Sequence, residues 1–197
     1  MITINIVLLT IISPYFLLLF FGDCLGASMA DPHIKCELDI LDKLTVILYR
    51  SAFTLAAIIM AIIATETNAT TPFLIMVALL ASTTVHIYDK RFRWLIQGAG
   101  LFAAIWFMSG LWQPLALGAA LFVFSALSIK EYFCFKVKIL LLTPIALAGF
   151  WFCLVFNAIN IAIGFAMVGA ALLAFAAFSK WRMPLHFDIG DKSRYQV

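Results

Sequence analysis

The stretch from residue 139 to residue 179 has the sequence ILLLTPIALAGFWFCLVFNAINIAIGFAMVGAALLAFAAFS and contains no charged residue. A membrane-spanning helix needs roughly 17 to 25 consecutive, mostly apolar residues. The stretch is long enough for two such helices, and Asn157 lies near its middle, where a short turn would separate them. It therefore predicts a helical hairpin within a membrane.

Similar apolar runs occupy most of the chain, which is 65% hydrophobic and 12% charged with a mean hydropathy of +1.09. Soluble domains are about 45 to 50% apolar and about 25% charged. The composition therefore predicts an all-α, polytopic transmembrane helix bundle, formed as one domain over residues 44–179. The six predicted spans are 44–64, 72–88, 94–110, 113–129, 139–156 and 158–179.

The basic residues predict the topology, because short cytoplasmic loops of membrane proteins are rich in Lys and Arg. Twelve of the thirteen lie in three alternate connections, 23–43, 89–93 and 130–138, or in the tail 180–197. The intervening turns at 65–71, 111–112 and 157 contain none. We expect three hairpins that close on the outer side of the inner (plasma) membrane. Residues 29–43 are then a cytoplasmic leader and 180–197 a cytoplasmic tail, and the net charge of +3 needs no nucleic-acid partner.

The apolar segment 1–28 permits three interpretations. Ser28-Met29-Ala30 resembles a signal-peptide cleavage site, but the segment has no basic residues at its start, and cleavage would turn every basic loop outward. A retained seventh helix, containing Pro14, agrees with the charge pattern. Alternatively, translation begins at Met29 and the segment is not native. The last two alternatives stay open.

Five polar residues are predicted to share the cytoplasmic rim of the bundle. Arg50 lies on the order of 9 Å along its helix from Leu44, a depth at which a charge is costly. Its side chain either extends back to the headgroups or pairs with an acidic residue, and Glu131 is the candidate that would neutralise it. The other interpretation of Lys130 and Glu131 is an interfacial belt with neighbouring aromatics. The predicted cluster is Arg50, His86, Tyr88, Lys130 and Glu131.

Small residues predict where helices pack closely. The candidates are Gly98, Gly100 and Ala104 on the third helix and Ala162, Ala166, Ala170 and Ala174 on the last. The four cysteines form no C-x-x-C pair, and His86 has no second ligand at helical spacing, so we expect no metal, no cofactor and no catalytic residue.

Three strings of this sequence resemble one family. Residues 41–51, LDKLTVILYRS, residues 85–88, VHIY, and residues 130–135, KEYFCF, are similar to those of uncharacterised multi-pass integral membrane proteins of bacteria, including cyanobacteria. The resemblance covers about residues 38 to 180. That family is a domain of unknown function, so the resemblance implies a multi-pass membrane fold and no activity.

The leading functional hypothesis is a non-enzymatic protein that packs against, or helps to assemble, another membrane component. Its expected partners are membrane lipids and another integral membrane protein. The first alternative is a small-solute or ion permease with the polar cluster in a cytoplasmic vestibule. An intramembrane enzyme that uses His86 and Glu131 is the second.

Overall fold

Two acidic residues set the start of the first helix, α1 (Ile40–Ile62). In this computed structural model, which describes residues 38–135 and 137–189, the backbone N–H of Asp39 donates to the Asp42 carboxylate at 3.1 Å. Such a bond satisfies a backbone group that the first turn of a helix leaves without an intrahelical partner. The helix consequently begins four residues before the predicted boundary at residue 44.

Threonine hydroxyls lie at both ends of the second helix, α2 (Thr67–Thr83). At its start, Thr67 donates to the carbonyl of Ile63 at 2.7 Å. At its end, Thr84 donates to the carbonyl of Leu80 at 2.7 Å, and its backbone has left the helical conformation. The helix starts and ends five residues before the predicted span 72–88, so that span is wrong at both ends, and His86 and Tyr88 lie in a loop.

The remaining elements follow in chain order and are connected by short turns. Gly110, in the turn after the third helix, has φ +70°, and Asn157, in the turn after the fifth, has φ 57°. Glycine and asparagine adopt this left-handed conformation more readily than other residues. These elements are α3 (Lys90–Met108), α4 (Gln113–Phe135), a 3-10 helix (Lys138–Leu141), α5 (Leu142–Val155), α6 (Ile159–Trp181) and α7 (His186–Ile189).

The long helices form a ring. Each packs against the next in the chain, and α6 packs against α1, which closes the ring, while α4 also contacts α2. The core contains aromatic rings from opposite sides, with Phe53 of α1 edge-on to Phe124 of α4 at 6.0 Å. The described residues contain no strand, so the predicted all-α bundle is confirmed.

Four segments are long and apolar enough to cross a membrane: Ile40–Ile62, Gln113–Cys134, Lys138–Val155 and Ile159–Trp181. These four indicate a membrane protein. The second helix is a shorter apolar helix, and α3 begins with three basic residues among its first four. Six complete crossings therefore stay a prediction.

The end of the bundle where α1, α3 and α5 begin and α2, α4 and α6 end is called the basic end here. Lys43, Lys90, Arg91, Lys138 and Arg182 lie there, whereas Glu66 lies in a turn at the opposite end. The alternatives for residues 1–28, most of the leader 29–43 and the tail beyond residue 189 lie outside the described residues.

Candidate functional site

Arg50 is a buried cation at the basic end. Its side chain is only 2% exposed. The guanidinium donates from Nε to Asp188 Oδ2 at 2.7 Å, and Nη2 lies 2.5 Å from the same oxygen. It also donates to the carbonyl oxygens of Met183 at 2.7 Å and Pro184 at 3.0 Å. Each nitrogen of the guanidinium therefore has a partner in the segment that follows α6.

That segment places Asp188 inside the bundle. After α6 ends at Trp181, the chain turns through Pro184 and forms the short α7, in which Asp188 and Ile189 are buried. Pro184 cannot continue a helix, because proline lacks a backbone N–H. The hydroxyl of Tyr88 lies 3.4 Å from the carbonyl oxygen of Ile189, so the loop after α2 also contacts α7.

Glu131, near the end of α4, is a second buried anion. The Tyr49 hydroxyl donates to Oε1 at 2.7 Å, and Lys130 Nζ lies 3.2 Å from the same oxygen. Lys180 Nζ donates to Oε2 at 2.8 Å. Lys180 also forms a very short contact with Asp188 Oδ1, which connects the two carboxylates through one ammonium group.

These contacts form one connected set, called the charge network here. Its three cations and two carboxylates have a net charge of +1. Burying such ions is costly unless they are paired and hydrogen-bonded. Every carboxylate oxygen in the set accepts a bond, and Lys130, 12% exposed, is its most accessible member. The members are Arg50, Lys130, Glu131, Lys180 and Asp188.

Tyr49 connects the cations of the network as well as one anion. The ammonium groups of Lys130 and Lys180 each lie 4.9 Å from the centroid of its ring. A cation at this distance from an aromatic face is attracted by the π electrons. The Tyr49 side chain therefore contacts cations and an anion: its ring faces the ammonium groups of Lys130 and Lys180, and its hydroxyl faces the carboxylate of Glu131.

The structure brings three of the five predicted cluster residues into the network, namely Arg50, Lys130 and Glu131. The predicted neutralisation of Arg50 by Glu131 is wrong, because Asp188 occupies that place. Of the other two predicted residues, Tyr88 contacts α7, and His86 Nε2 lies 3.5 Å from the hydroxyl of Thr45.

The sequence did not predict two network members, Lys180 and Asp188, or the role of Tyr49 beside them. Lys180 falls in the predicted tail 180–197, but it is the penultimate residue of α6, and Asp188 lies eight residues farther along the chain. The sequence contains one signal: Pro184 stands shortly after the helix, where proline is common because it cannot continue the helix.

His86 lies in the loop 84–89, outside the membrane-spanning segments, and has a perturbed titration. Its pKa is lowered from the ordinary value of 6.5, mainly because burial disfavours the imidazolium and also because the Lys130 ammonium is near. The carboxylates of Asp188 and Asp42 act in the opposite direction. The neutral imidazole is therefore favoured over the imidazolium.

The small residues predicted at packing positions divide into two groups. Ala162, Ala166 and Ala170 of α6 and Gly100 of α3 are buried, and Ala104 is half-buried. Gly98 and Ala174 are exposed, and a Cβ added at Gly98 would meet no atom within 4 Å. Within the described residues, Gly98 and Ala174 therefore do not have the packing role that was predicted for them.

No group of three His, Cys, Asp or Glu side chains that could hold a metal ion occurs among residues 38–135 and 137–189. Cys134 and Cys153 are free thiols. The network itself can hold elements together at the basic end, because it joins α1, α4, α6 and α7.

The chain is similar to a known bacterial protein. An uncharacterised protein of Haemophilus influenzae is 43% identical over 169 residues, a match that covers 86% of this chain and 100% of that protein. No family model matches the chain, and no solved structure matches it. The relative is bacterial, as the resemblance implied, and its name gives no activity.

Proposed function

This chain belongs to the same family as the Haemophilus influenzae protein, and from that premise we propose that it is a multi-pass inner-membrane protein that packs against another integral membrane protein and catalyses no reaction. The basic end and the C-terminus face the cytoplasm in this proposal. Its partners are membrane lipids and that second protein, and nucleic acid is not among them. The charge network holds α1, α4, α6 and α7 together at the basic end. Exposed residues near it contact the second protein.

The distribution of exposed charge supports the orientation. Lys43, Lys90, Arg91, Lys138 and Arg182 are exposed at the basic end, and cytoplasmic segments of membrane proteins are enriched in such residues. A fusion of green fluorescent protein after Val197 tests this. We expect a fluorescent fusion and an inactive alkaline phosphatase fusion at the same position. An active phosphatase would reject the cytoplasmic C-terminus.

The pairing of both network carboxylates supports a role without catalysis. A general base must have an oxygen that can take a proton from a substrate. Glu131 accepts from Tyr49 and from two ammonium groups, and both oxygens of Asp188 are bound to cations. These bonds stabilise the ionised carboxylates and occupy the positions that a substrate proton would need.

The single observation that favours a protein partner is the start of α1. Ile40, Leu41 and Leu44 are 84%, 74% and 50% exposed. They precede Arg50 by up to ten residues, so they lie up to about 15 Å beyond the network toward the basic end. The network itself lies where α4 and α6 end. An apolar helix end with exposed side chains, beside the exposed Lys43, is the type of surface that binds another protein.

Photocrosslinking in intact membranes tests this contact. A benzophenone amino acid at Leu41 or Leu44 should yield an adduct with another membrane protein. The same group at Ile58, an exposed residue farther along α1, is the matched control and should yield less of that adduct. If the purified protein is only a free monomer and neither position at the start of α1 captures a protein, the assembly role is rejected.

A specific observation also favours the permease alternative. The hydroxyl oxygens of Ser128 and Thr143 are buried and have no hydrogen-bond partner within the described part of the chain. Ser128 lies one turn from Glu131 on α4, so a polar path into the bundle could begin there. Solute flux in proteoliposomes that is lost in Ser128→Ala and Thr143→Val, with folding retained, would favour transport over assembly.

A further inference from the structure

An open apolar groove runs along the outer surface of the bundle between α5 and α6. It has a volume of about 460 Å³. Leu142, Ile145, Ile161 and Val168 line it and are largely exposed, whereas Ala146 is buried. A Cβ added at Gly164, which also lines the groove, would meet no atom within 4 Å. The groove is therefore wide enough at Gly164 to accept further atoms.

On the α6 side, the groove residues end at Val168, and a cation, Arg182, lies fourteen residues (about 21 Å) farther along the helix. Arg182 follows Gly164 by eighteen residues, which corresponds to about five full turns, so both lie on the same face of the helix. Arg182 still has helical backbone angles, and its guanidinium lies 5.5 Å from the centroid of the Phe178 ring. Both residues are exposed. The apolar face that lines the groove thus continues through Phe178 to Arg182 at the basic end.

The α5 side ends in a second cation. Lys138 is exposed and begins the 3-10 helix that leads directly into α5. It precedes the groove residue Leu142 by four residues, about one turn. The 3-10 helix also packs against α6. Both helices that line the groove therefore carry, toward the same end of the bundle, an exposed cation that is not a member of the charge network: Lys138 one turn before the groove and Arg182 fourteen residues beyond it.

We infer that this groove binds one anionic phospholipid of the surrounding bilayer, with an acyl chain between α5 and α6 and its phosphate bound by Arg182 and Lys138. An apolar groove fits the hydrocarbon chain. Arginine is suited to phosphate, because its planar guanidinium can donate two parallel bonds. Basic pockets between membrane helices on the cytoplasmic side bind anionic headgroups. The site is separate from the start of α1 and does not depend on a protein partner.

The headgroup part of the site is tested by lipid retention. The full chain, purified in detergent, is incubated with palmitoyl-oleoyl phosphatidylglycerol or with the corresponding phosphatidylcholine, and bound lipid is counted by native mass spectrometry. We expect preferential retention of phosphatidylglycerol. In the double variant Lys138→Ala/Arg182→Ala that retention should fall by roughly tenfold or more, because each nearby cation favours an anionic lipid.

The matched control removes two other exposed cations at the basic end. Lys90→Ala/Arg91→Ala should leave retention unchanged, although Lys90, like Arg182, lies over an aromatic ring, that of Trp94. Equal retention of the two lipids by the unaltered protein would overturn the proposal. Equal losses in the two double variants would do the same, since they would show a general effect of positive charge.

The groove is tested by filling it. Gly164→Leu adds a side chain where open space exists, so the fold should be retained while phosphatidylglycerol is displaced. Gly98→Leu is the control, because that helical glycine also has open space but lies on α3, outside the groove. Equal retention by these two variants would overturn the assignment of the acyl chain. A dimer that is lost in Gly164→Leu while lipid retention is unchanged would instead assign the groove to a second copy.

Discussion

The guanidinium of Arg50 in α1 is bound to the carboxylate of Asp188 in α7, 138 residues later in the chain, with 2.7 Å between Nε and Oδ2. The contact joins the first and the last described helices of the bundle. Both side chains are buried, so neither charge is compensated by water. The basic end therefore cannot complete its charge pairing until the chain has folded back through residue 188.

Removal of one carboxylate should strongly destabilise the protein. In Asp188→Ala, Arg50 and Lys180 lose a buried partner, and breaking such a pair costs about 3 to 5 kcal/mol. We expect the free energy of unfolding, measured by titration of the detergent-solubilised protein with sodium dodecyl sulfate, to fall by about that amount. Glu66→Ala is the control, since Glu66 is exposed at the opposite end, and its effect should stay within about 0.5 kcal/mol.

The loss should be partly recovered when the stranded cation is also removed. Arg50→Met combined with Asp188→Ala leaves no guanidinium without a partner, while Lys180 keeps Glu131. We expect the loss in free energy of unfolding of the double variant to be smaller than the sum of the losses of the two single variants. The difference, which is the coupling energy of the pair, should be about 1 to 3 kcal/mol. Strictly additive losses would show that the pair does not act as a unit.

The Tyr49 hydroxyl should stabilise the protein more than the Tyr88 hydroxyl does. Tyr49→Phe removes a 2.7 Å bond to a buried carboxylate, and hydrogen bonds to charged groups contribute about 1.5 to 3 kcal/mol. Tyr88→Phe removes a 3.4 Å contact with a backbone carbonyl, which is close to the outer limit for a hydrogen bond. The same unfolding titration should rank Tyr49→Phe as clearly more damaging, and equal effects would contradict this assignment.

Two glycines of α3 should respond in opposite ways to the same substitution. A Cβ at Gly100 would lie 3.0 Å from the Cβ of Ser82 and closer still to its hydroxyl, which donates to the carbonyl of Leu79. Gly100→Ala should therefore cost about 1 to 3 kcal/mol. Gly98→Ala meets open space and should be neutral or stabilising by up to about 1 kcal/mol, because alanine favours helix. Similar losses at both positions would mean that Gly100 is not a packing position.

The protein should lose stability as the pH falls below the ordinary pKa of histidine. The folded pKa of His86 is lowered from 6.5 by burial and by Lys130, so the unfolded chain binds this proton more readily. The free energy of unfolding should then decrease as the pH falls from 6.5 through the folded pKa, and His86 should contribute no pH dependence above that range.

Titration of the His86 imidazole by NMR measures this pKa directly, and His86→Gln should remove its part of the pH dependence. Lys130→Met is the second variant. Because it removes the nearby ammonium, it should move the pKa of His86 upward. An imidazole that titrates at or above 6.5 in the unaltered protein would show that burial does not govern it.

The helical class and the approximate positions of the long helices could be predicted from the sequence, because apolar runs of sufficient length have few other stable structures in lipid. The ends of the helices were less predictable. The first helix starts four residues before its predicted span, where the Asp42 carboxylate accepts from the backbone N–H of Asp39, and the second helix ends five residues before its predicted end.

Hydropathy and charge act locally along the chain, so the amino-acid sequence specifies the helical bundle and the grouping of polar residues at one end. Which charges pair depends on the tertiary structure. Glu131 and Asp188 are equally acidic in the sequence, and either could have neutralised Arg50. The fold-back after Pro184 brings Asp188 to Arg50, while α6 brings Lys180 to Glu131. Ion pairing depends on distances between atoms that are far apart in the chain, and packing alone sets those distances.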